Sequence, residues 1–253
     1  MPIRFDGELA VVTGASGAFG KVIVGSLVTR GLRVIAVGRR LAELETLAKP
    51  FKDVRACATD IGLDQSIATI AAMVDAPVRA IVHAPGLPVA GGVLDAAPEA
   101  VAEAVNIKAG GFLRLVRAVD SRLMRGSRLI GIGGHYGLEP SDYALTAGVG
   151  NAALIALSRQ LSLAYGPRGV TSHVVAPGPA DTERLRKVAA IRADKSGKGI
   201  EDVFAEMRAE SSLGAFTTPE QVAWAVTTLL EPEADAMTGS TVMLDSGRRR
   251  GLP

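Results

Sequence analysis

The chain has 253 residues, 48% of them hydrophobic and 21% charged, with a mean hydropathy of +0.27; that is enough apolar mass for one core near the upper size of a single domain and too much for a disordered chain. Its net charge of +2 makes no field that would draw nucleic acid or an anionic membrane. The lone cysteine, Cys57, rules out an internal disulfide or a cysteine-rich metal site; with no apolar run near the roughly 18 residues of a membrane span and no apolar signal core in residues 1–8, a reducing, cytoplasmic setting is expected.

Residues 9–12 make the first expected strand. It is continuously apolar rather than alternating, which suits a strand buried on both faces of a parallel sheet. A glycine-rich turn and a helix over 19–30 follow, then strands over 33–37 and 54–58, each succeeded by a helix, over 41–49 and 64–73. A strand at 80–82 precedes a long helix at 98–122, and a strand at 128–132 precedes a helix at 145–165, stopped by Gly166-Pro167. After a strand at 171–175, the chain closes with a helix at 219–230 and a strand at 241–244. Thr218 is placed to cap that last helix and Pro219 to open it. Strands separated by helix-length segments imply βαβ units, hence a single α/β domain over residues 1–253: a Rossmann-type, doubly wound parallel sheet of about seven strands. Segment 181–216 breaks the rhythm, being charge-rich with no clear strand. It leaves the C-terminal end of a strand, where such folds bind ligands, so it reads as a lid over a pocket rather than a solvated excursion.

The turn after the first strand carries Gly14, Ser16, Gly17, Phe19 and Gly20. Glycines there let backbone N–H groups approach a pyrophosphate at the positive end of the following helix. Their three-and-three spacing differs from G-x-G-x-x-G, and a ligand-free βα turn needs only one or two glycines. The second strand adds weight. It is followed by Gly38-Arg39-Arg40, with no acid at the place where NAD-binding folds put one for the ribose 2′-hydroxyl. A guanidinium fork pairs with phosphate, so NADP(H) is preferred over NAD(H). Asp60 and Ile61 after the third strand are positioned for the adenine.

Over essentially its whole length the chain resembles the short-chain dehydrogenases/reductases. The family's opening T-G-x-x-x-G-x-G matches Thr13, Gly14 and Gly20, with Ala18 where a middle glycine is usual. Asp60 matches an adenine-site aspartate and Asn106 a helical asparagine. Pro177-Gly178 with Asp181-Thr182 match the segment whose threonine contacts the nicotinamide amide. The usual N-N-A-G is altered to His83-Ala84-Pro85-Gly86, leaving Ala84 and Gly86 against the cofactor and His83 as a substitute for a structural asparagine.

The resemblance implies hydride transfer assisted by a tyrosine acid, a lysine one helical turn later that tunes it, and a serine that polarises the carbonyl. Aligned by its flanks, residues 151–159 match the run that begins with this lysine, which puts Asn151 at the lysine, Ala147 at the tyrosine and Gly134 at the serine. An alternative register pairs Tyr143 with the tyrosine, leaves Ala147 at the lysine and needs a four-residue deletion. Asn106, Tyr143 and His135 are the remaining candidates for catalysis; His135 has the most suitable intrinsic pKa, although a lone loop histidine more often faces solvent. The scattered histidines and single cysteine suggest no metal site.

Three functions compete. The first is an NADP(H)-binding family member without the usual dehydrogenase chemistry, serving as a pseudoenzyme, sensor or subunit partner. The second is a repurposed enzyme acting on a small organic substrate with non-standard residues. The third is an ordinary NADP-dependent oxidoreductase that tolerates the losses. Assembly into a homodimer or homotetramer is expected, because the helix at 145–165 is apolar on more than one face.

Overall fold

Seven parallel strands line up in the order β3-β2-β1-β4-β5-β6-β7 in the computed structural model, which describes residues 3–88 and 91–251. The strands are β1 (Leu9–Thr13), β2 (Arg33–Gly38), β3 (Val54–Ala58), β4 (Val78–His83), β5 (Leu123–Ile132), β6 (Thr171–Pro177) and β7 (Thr241–Leu244). The strand order reverses between β1 and β4, so the loops after these strands diverge and open a crevice at the C-terminal edge of the sheet. The doubly wound α/β architecture expected from the alternation is the architecture observed.

Each face of the sheet has its own core. On one, α1 (Ala18–Thr29) and α9 (Pro219–Thr228) bury Ile23, Val24, Leu27, Val222 and Val226 against Val12, Ala36 and Val82. On the other, α5 (Gly111–Val119) and α6 (Leu145–Tyr165) bury Phe112, Leu115, Val116 and Leu154 against Val11, Ile35 and Ile81. Fully burying such a side chain is worth roughly 1.5–3 kcal/mol, which explains why these strands have no polar face. Thr218 caps α9 as expected, and Gln221 completes the motif: its backbone N–H donates to Thr218 Oγ1 while its own side chain accepts from the Thr218 N–H. The remaining connecting helices are α2 (Leu41–Ala48) and α3 (Gln65–Ala71).

Two elements differ from expectation. The helix expected over 98–122 is divided into α4 (Pro98–Val105), a π turn (Asn106–Gly110), α5 and a short 3-10 turn. A π turn holds one residue more than an α turn. Here it aims the Lys108 side chain inward, where Nζ donates to the Ile132 carbonyl at 2.8 Å, and the Ile107 carbonyl toward His83. β5 begins at Leu123 rather than 128, because its first part joins β4 across an irregularity that contains Gly126 at φ +85°.

Segment 181–216 folds as a helical hairpin, α7 (Glu183–Ser196) and α8 (Ile200–Ala209). Leu185, Ala189, Val203, Phe204 and Met207 form a small cluster of its own there, with Phe216 packed against it. Among the described residues no helix is long and apolar enough to cross a membrane.

Candidate functional site

β1 ends at Thr13 and hands the chain to a turn that only glycine can make. Gly14 has φ +68°, and a Cβ there would lie 2.6 Å from the Ala84 carbonyl oxygen. A Cβ on Gly20 would lie 2.3 Å from the Gly14 carbonyl oxygen, so Gly20 lets α1 close against the turn. Gly17 caps α1 without a side-chain hydrogen bond, and no acid stands in the helix's first turn. The N–H groups of that turn and the positive helix end therefore remain available to an anion.

These groups face a cleft of about 290 Å³ lined by Gly14, Ser16, Gly17, Arg39, Arg40, Asp60, Ile61, Ala84 and Gly86. Nine of the expected nucleotide-binding residues thus meet in one place. Phe19, Pro177, Gly178 and Thr182 line a second pocket instead, and Gly20 acts through packing. Amide donors at one end, guanidiniums at the other and two glycines where a Cβ would clash fit an elongated diphosphate nucleotide. An acid absent from the sequence expectation stands beside the cleft, against one of its lining arginines. Glu43, in the first turn of α2, pairs with Arg40 (Nε to Oε1 2.5 Å), which holds its carboxyl below the ordinary value. Its only sequence signal is the three-residue spacing from Arg40 at a helix start.

His83, the last residue of β4, is fully buried. Its Nδ1 accepts from Thr13 Oγ1 at 2.8 Å and its Nε2–H donates to the Ile107 carbonyl at 2.9 Å. Burial, aided by the Lys108 charge, pushes its pKa down to about 3, so it is a neutral clamp joining β1, β4 and the π turn.

The second pocket, about 190 Å³, lies between the ends of β5 and β6, the start of α6 and the α7–α8 hairpin. Gly134, Ala147 and Asn151 all line it, beside His135 and Tyr136. A Cβ at Gly134 would stand 2.8 Å from Asn151 Nδ2, so these positions face one another. Asn151 Oδ1 and His135 Nε2 are buried without a hydrogen-bond partner among the described residues. From α7 and α8 come Leu185, Val188 and Met207, which only the folded hairpin brings here. Residues 89 and 90, in the loop expected to reach this region, lie outside the described residues.

The remaining candidates are placed differently from expectation. His135 is not solvent-facing: it is 3% exposed, with its ring 3.9 Å from that of Tyr136. Burial first, then the Arg248 charge, lower its pKa to about 4. Asn106 does not reach the second pocket; its side chain donates to the Gly62 carbonyl at 3.1 Å and accepts from Arg114 at 2.9 Å. Tyr143 precedes α6, so it does not share a helix face with Ala147 and Asn151, and it does not line the pocket. Its hydroxyl meets that of Tyr136 at 2.8 Å, and the Arg192 guanidinium lies 4.4 Å from its ring centroid. Burial raises the Tyr143 pKa, but the Tyr136 hydrogen bond and the Arg192 charge outweigh it, leaving a net lowering. Burial and the same hydrogen bond raise that of Tyr136. Among the described residues no cluster of three His, Cys, Asp or Glu could hold a metal ion.

Comparison with known proteins agrees with the fold. A family model described as enoyl-(acyl carrier protein) reductase matches residues 14–249. Short-chain reductase protein NovJ of Streptomyces niveus is 26% identical over 253 residues, covering 95% of this chain and 94% of its own. A point variant of actinorhodin polyketide ketoreductase, solved with NADPH, superimposes with a TM-score of 0.86 at 26% identity over 98% of this chain and 99% of its own. An NADPH-bound short chain oxidoreductase of Pseudomonas aeruginosa PAO1, described as containing an atypical catalytic center, gives 0.87 at 20% identity over 99% and 100%.

Proposed function

The chain belongs to the short-chain dehydrogenase/reductase family, and on that premise we propose that it binds NADP(H) in the first cleft and lacks the family's usual means of moving a proton in the second pocket. The observation that carries this reading is the meeting of Gly134, Ala147 and Asn151 in one pocket. A glycine offers no hydroxyl to polarise a carbonyl, an alanine no proton and an asparagine no ammonium. The turn at 14–20 holds the diphosphate, Arg39 and Arg40 receive the 2′-phosphate, and Asp60 with Ile61 flank the adenine. Pro177, Gly178 and Thr182 hold the nicotinamide end, where the bound cofactor supplies a hydride. The 26%-identical ketoreductase solved with NADPH supports a nicotinamide nucleotide here.

Segment 181–216 acts as the lid, since Leu185, Val188 and Met207 wall the second pocket. The ligand in that pocket is a small molecule, and the protein works as a homodimer or homotetramer in the cytoplasm, where buried Cys57 stays a free thiol. Calorimetric titration with NADPH and NADH tests the reading. NADPH binds more tightly, and Arg39→Ala weakens NADPH more than NADH. Equal affinities, or binding of neither, overturn it.

A second reading is favoured by one observation. His135 Nε2 is buried, without a hydrogen-bond partner among the described residues and on a neutral ring in the pocket wall. Its free Nε2 lone pair can accept a hydrogen bond from a substrate and, as a weak base because burial lowers its pKa, a proton from an acidic carbon or hydroxyl, which suits a repurposed enzyme acting on a small organic substrate. His135→Gln then abolishes that activity while leaving NADPH affinity unchanged.

A further inference from the structure

We propose that Glu43 tunes nucleotide choice in the first cleft, because its carboxylate occupies the Arg40 guanidinium fork that a 2′-phosphate would use. The inference rests on the reading of that cleft as a nicotinamide-nucleotide site. Arg40 Nε meets Glu43 Oε1 at 2.5 Å and Arg40 NH2 meets Glu43 Oε2 at 2.8 Å, a two-point pairing that takes up both carboxylate oxygens. Ser16, in the turn that faces the diphosphate, and Lys21 both favour the charged form of the same carboxylate. Glu43 is thus held against Arg40, which lines the cleft together with Ser16. Arg39 has no hydrogen bond or ion pair among the described residues and also lines it.

The consequences follow from charge. A phosphate competes well with a carboxylate for a guanidinium, and the Arg40–Glu43 pair is exposed enough to exchange, at 71% and 42% for the two side chains. The displaced carboxylate nevertheless stays tethered to the first turn of α2 and repels the incoming phosphate. A nucleotide with a bare 2′-hydroxyl meets no such repulsion and finds in Glu43 an acceptor of the kind that NAD-binding folds supply. Arg39 therefore carries most of the 2′-phosphate recognition in the native protein, Arg40 is held in check, and the preference for NADP(H) is narrower than two free arginines would give.

The test uses two probes that differ only at the 2′ position, adenosine 2′,5′-bisphosphate and adenosine 5′-monophosphate, titrated calorimetrically into the full-length protein with NADPH in parallel. Glu43→Gln keeps the side-chain length and removes the charge. It tightens the bisphosphate about fivefold, the scale of one like charge near a phosphate in water, and changes the monophosphate by less than twofold. In the native background Arg40→Ala weakens the bisphosphate less than Arg39→Ala does; in the Glu43→Gln background the two losses become equal, a coupling that a double-mutant cycle reads directly. If Glu43 merely supports α2, its replacement weakens both probes alike, and that result overturns the proposal. So does an unchanged affinity ratio in a protein that binds NADPH normally. Failure of the native protein to bind NADPH at all defeats the reading of the cleft itself, and the proposal with it.

Discussion

Gly134, Ala147 and Asn151 hold the sharpest test of the chemistry. Replacing all three together, with Gly134→Ser, Ala147→Tyr and Asn151→Lys, assembles the family's usual groups in the pocket where these positions already meet. The Cβ added at position 134 points toward the end of residue 151, and the longer lysine can swing aside. With NADPH and a panel of ketones and aldehydes, turnover by the native protein is expected to be undetectable or very slow, and measurable only in the triple variant. A tyrosine without its lysine stays near pKa 10, and groups that act as a unit are not additive. A native turnover in the ordinary range of roughly 1–10³ s⁻¹ contradicts the proposed function. Phenylalanine replacements at Tyr136 and Tyr143, and glutamine at His135, would then identify the acid.

Strands and the turns after them carry the three histidines of the chain, and each is buried. His83 ends β4, His135 follows β5 and His173 lies in β6. Burial lowers the pKa of His83 to about 3 and those of His135 and His173 to about 4. An unfolded histidine takes up its proton near pH 6.5. Between roughly pH 6.5 and 4 the unfolded chain therefore binds more protons than the folded one, and stability falls as pH falls. The urea midpoint should hold steady from pH 8 to 7 and then decline, with a shallower decline in a His83→Asn variant, which has one titrating group fewer; parallel slopes would contradict the buried, neutral clamp. At the same scale, the α7–α8 hairpin has a cluster of its own, separate from both sheet cores. Phe204→Ala should loosen it locally, since sub-global opening follows cohesive units. Amide exchange should accelerate within 183–209 while β1, β4 and β5 stay protected; uniform acceleration would show that the hairpin is integral to the fold.

At the scale of the whole molecule the open question is assembly. Leu154 and Leu161 turn one side of α6 onto the sheet, while Val149 and Leu163 remain 39% and 67% exposed on another. A helix apolar on two sides gains by covering both, and a two-fold axis lets a second copy do so. Light scattering at micromolar concentration should give the mass of a dimer or tetramer, and Leu163→Glu should shift it toward monomer. A native monomer at that concentration refutes the proposal.

The order of strands and helices was legible because hydrophobic periodicity and glycine–proline punctuation act over a few residues, and each of the seven strands overlaps the apolar run that marked it, although β5 starts five residues earlier. The turn at 14–20 was legible for the same reason: a tight approach to a helix end demands glycine locally. The assignment of Gly134, Ala147 and Asn151 rested on the family resemblance, aligned by the flanks of each run, and the three positions line one pocket. Other features depended on packing across the chain. Arg248 donates to Tyr143 across a separation of 105 residues, and Arg192 reaches the same ring from α7; no local pattern encodes such meetings. Burial of His135 arises because its turn packs under α6, the insertion at 106–110 becomes a π turn because His83 and Ile132 offer partners to its inward groups, and Glu43 meets a lining residue of the cleft because Arg40 stands just before α2. Sequence determines which groups a segment carries and how its backbone repeats, whereas the tertiary structure decides which of those groups share one solvent-excluded volume, where desolvation and neighbouring charge set what each can do.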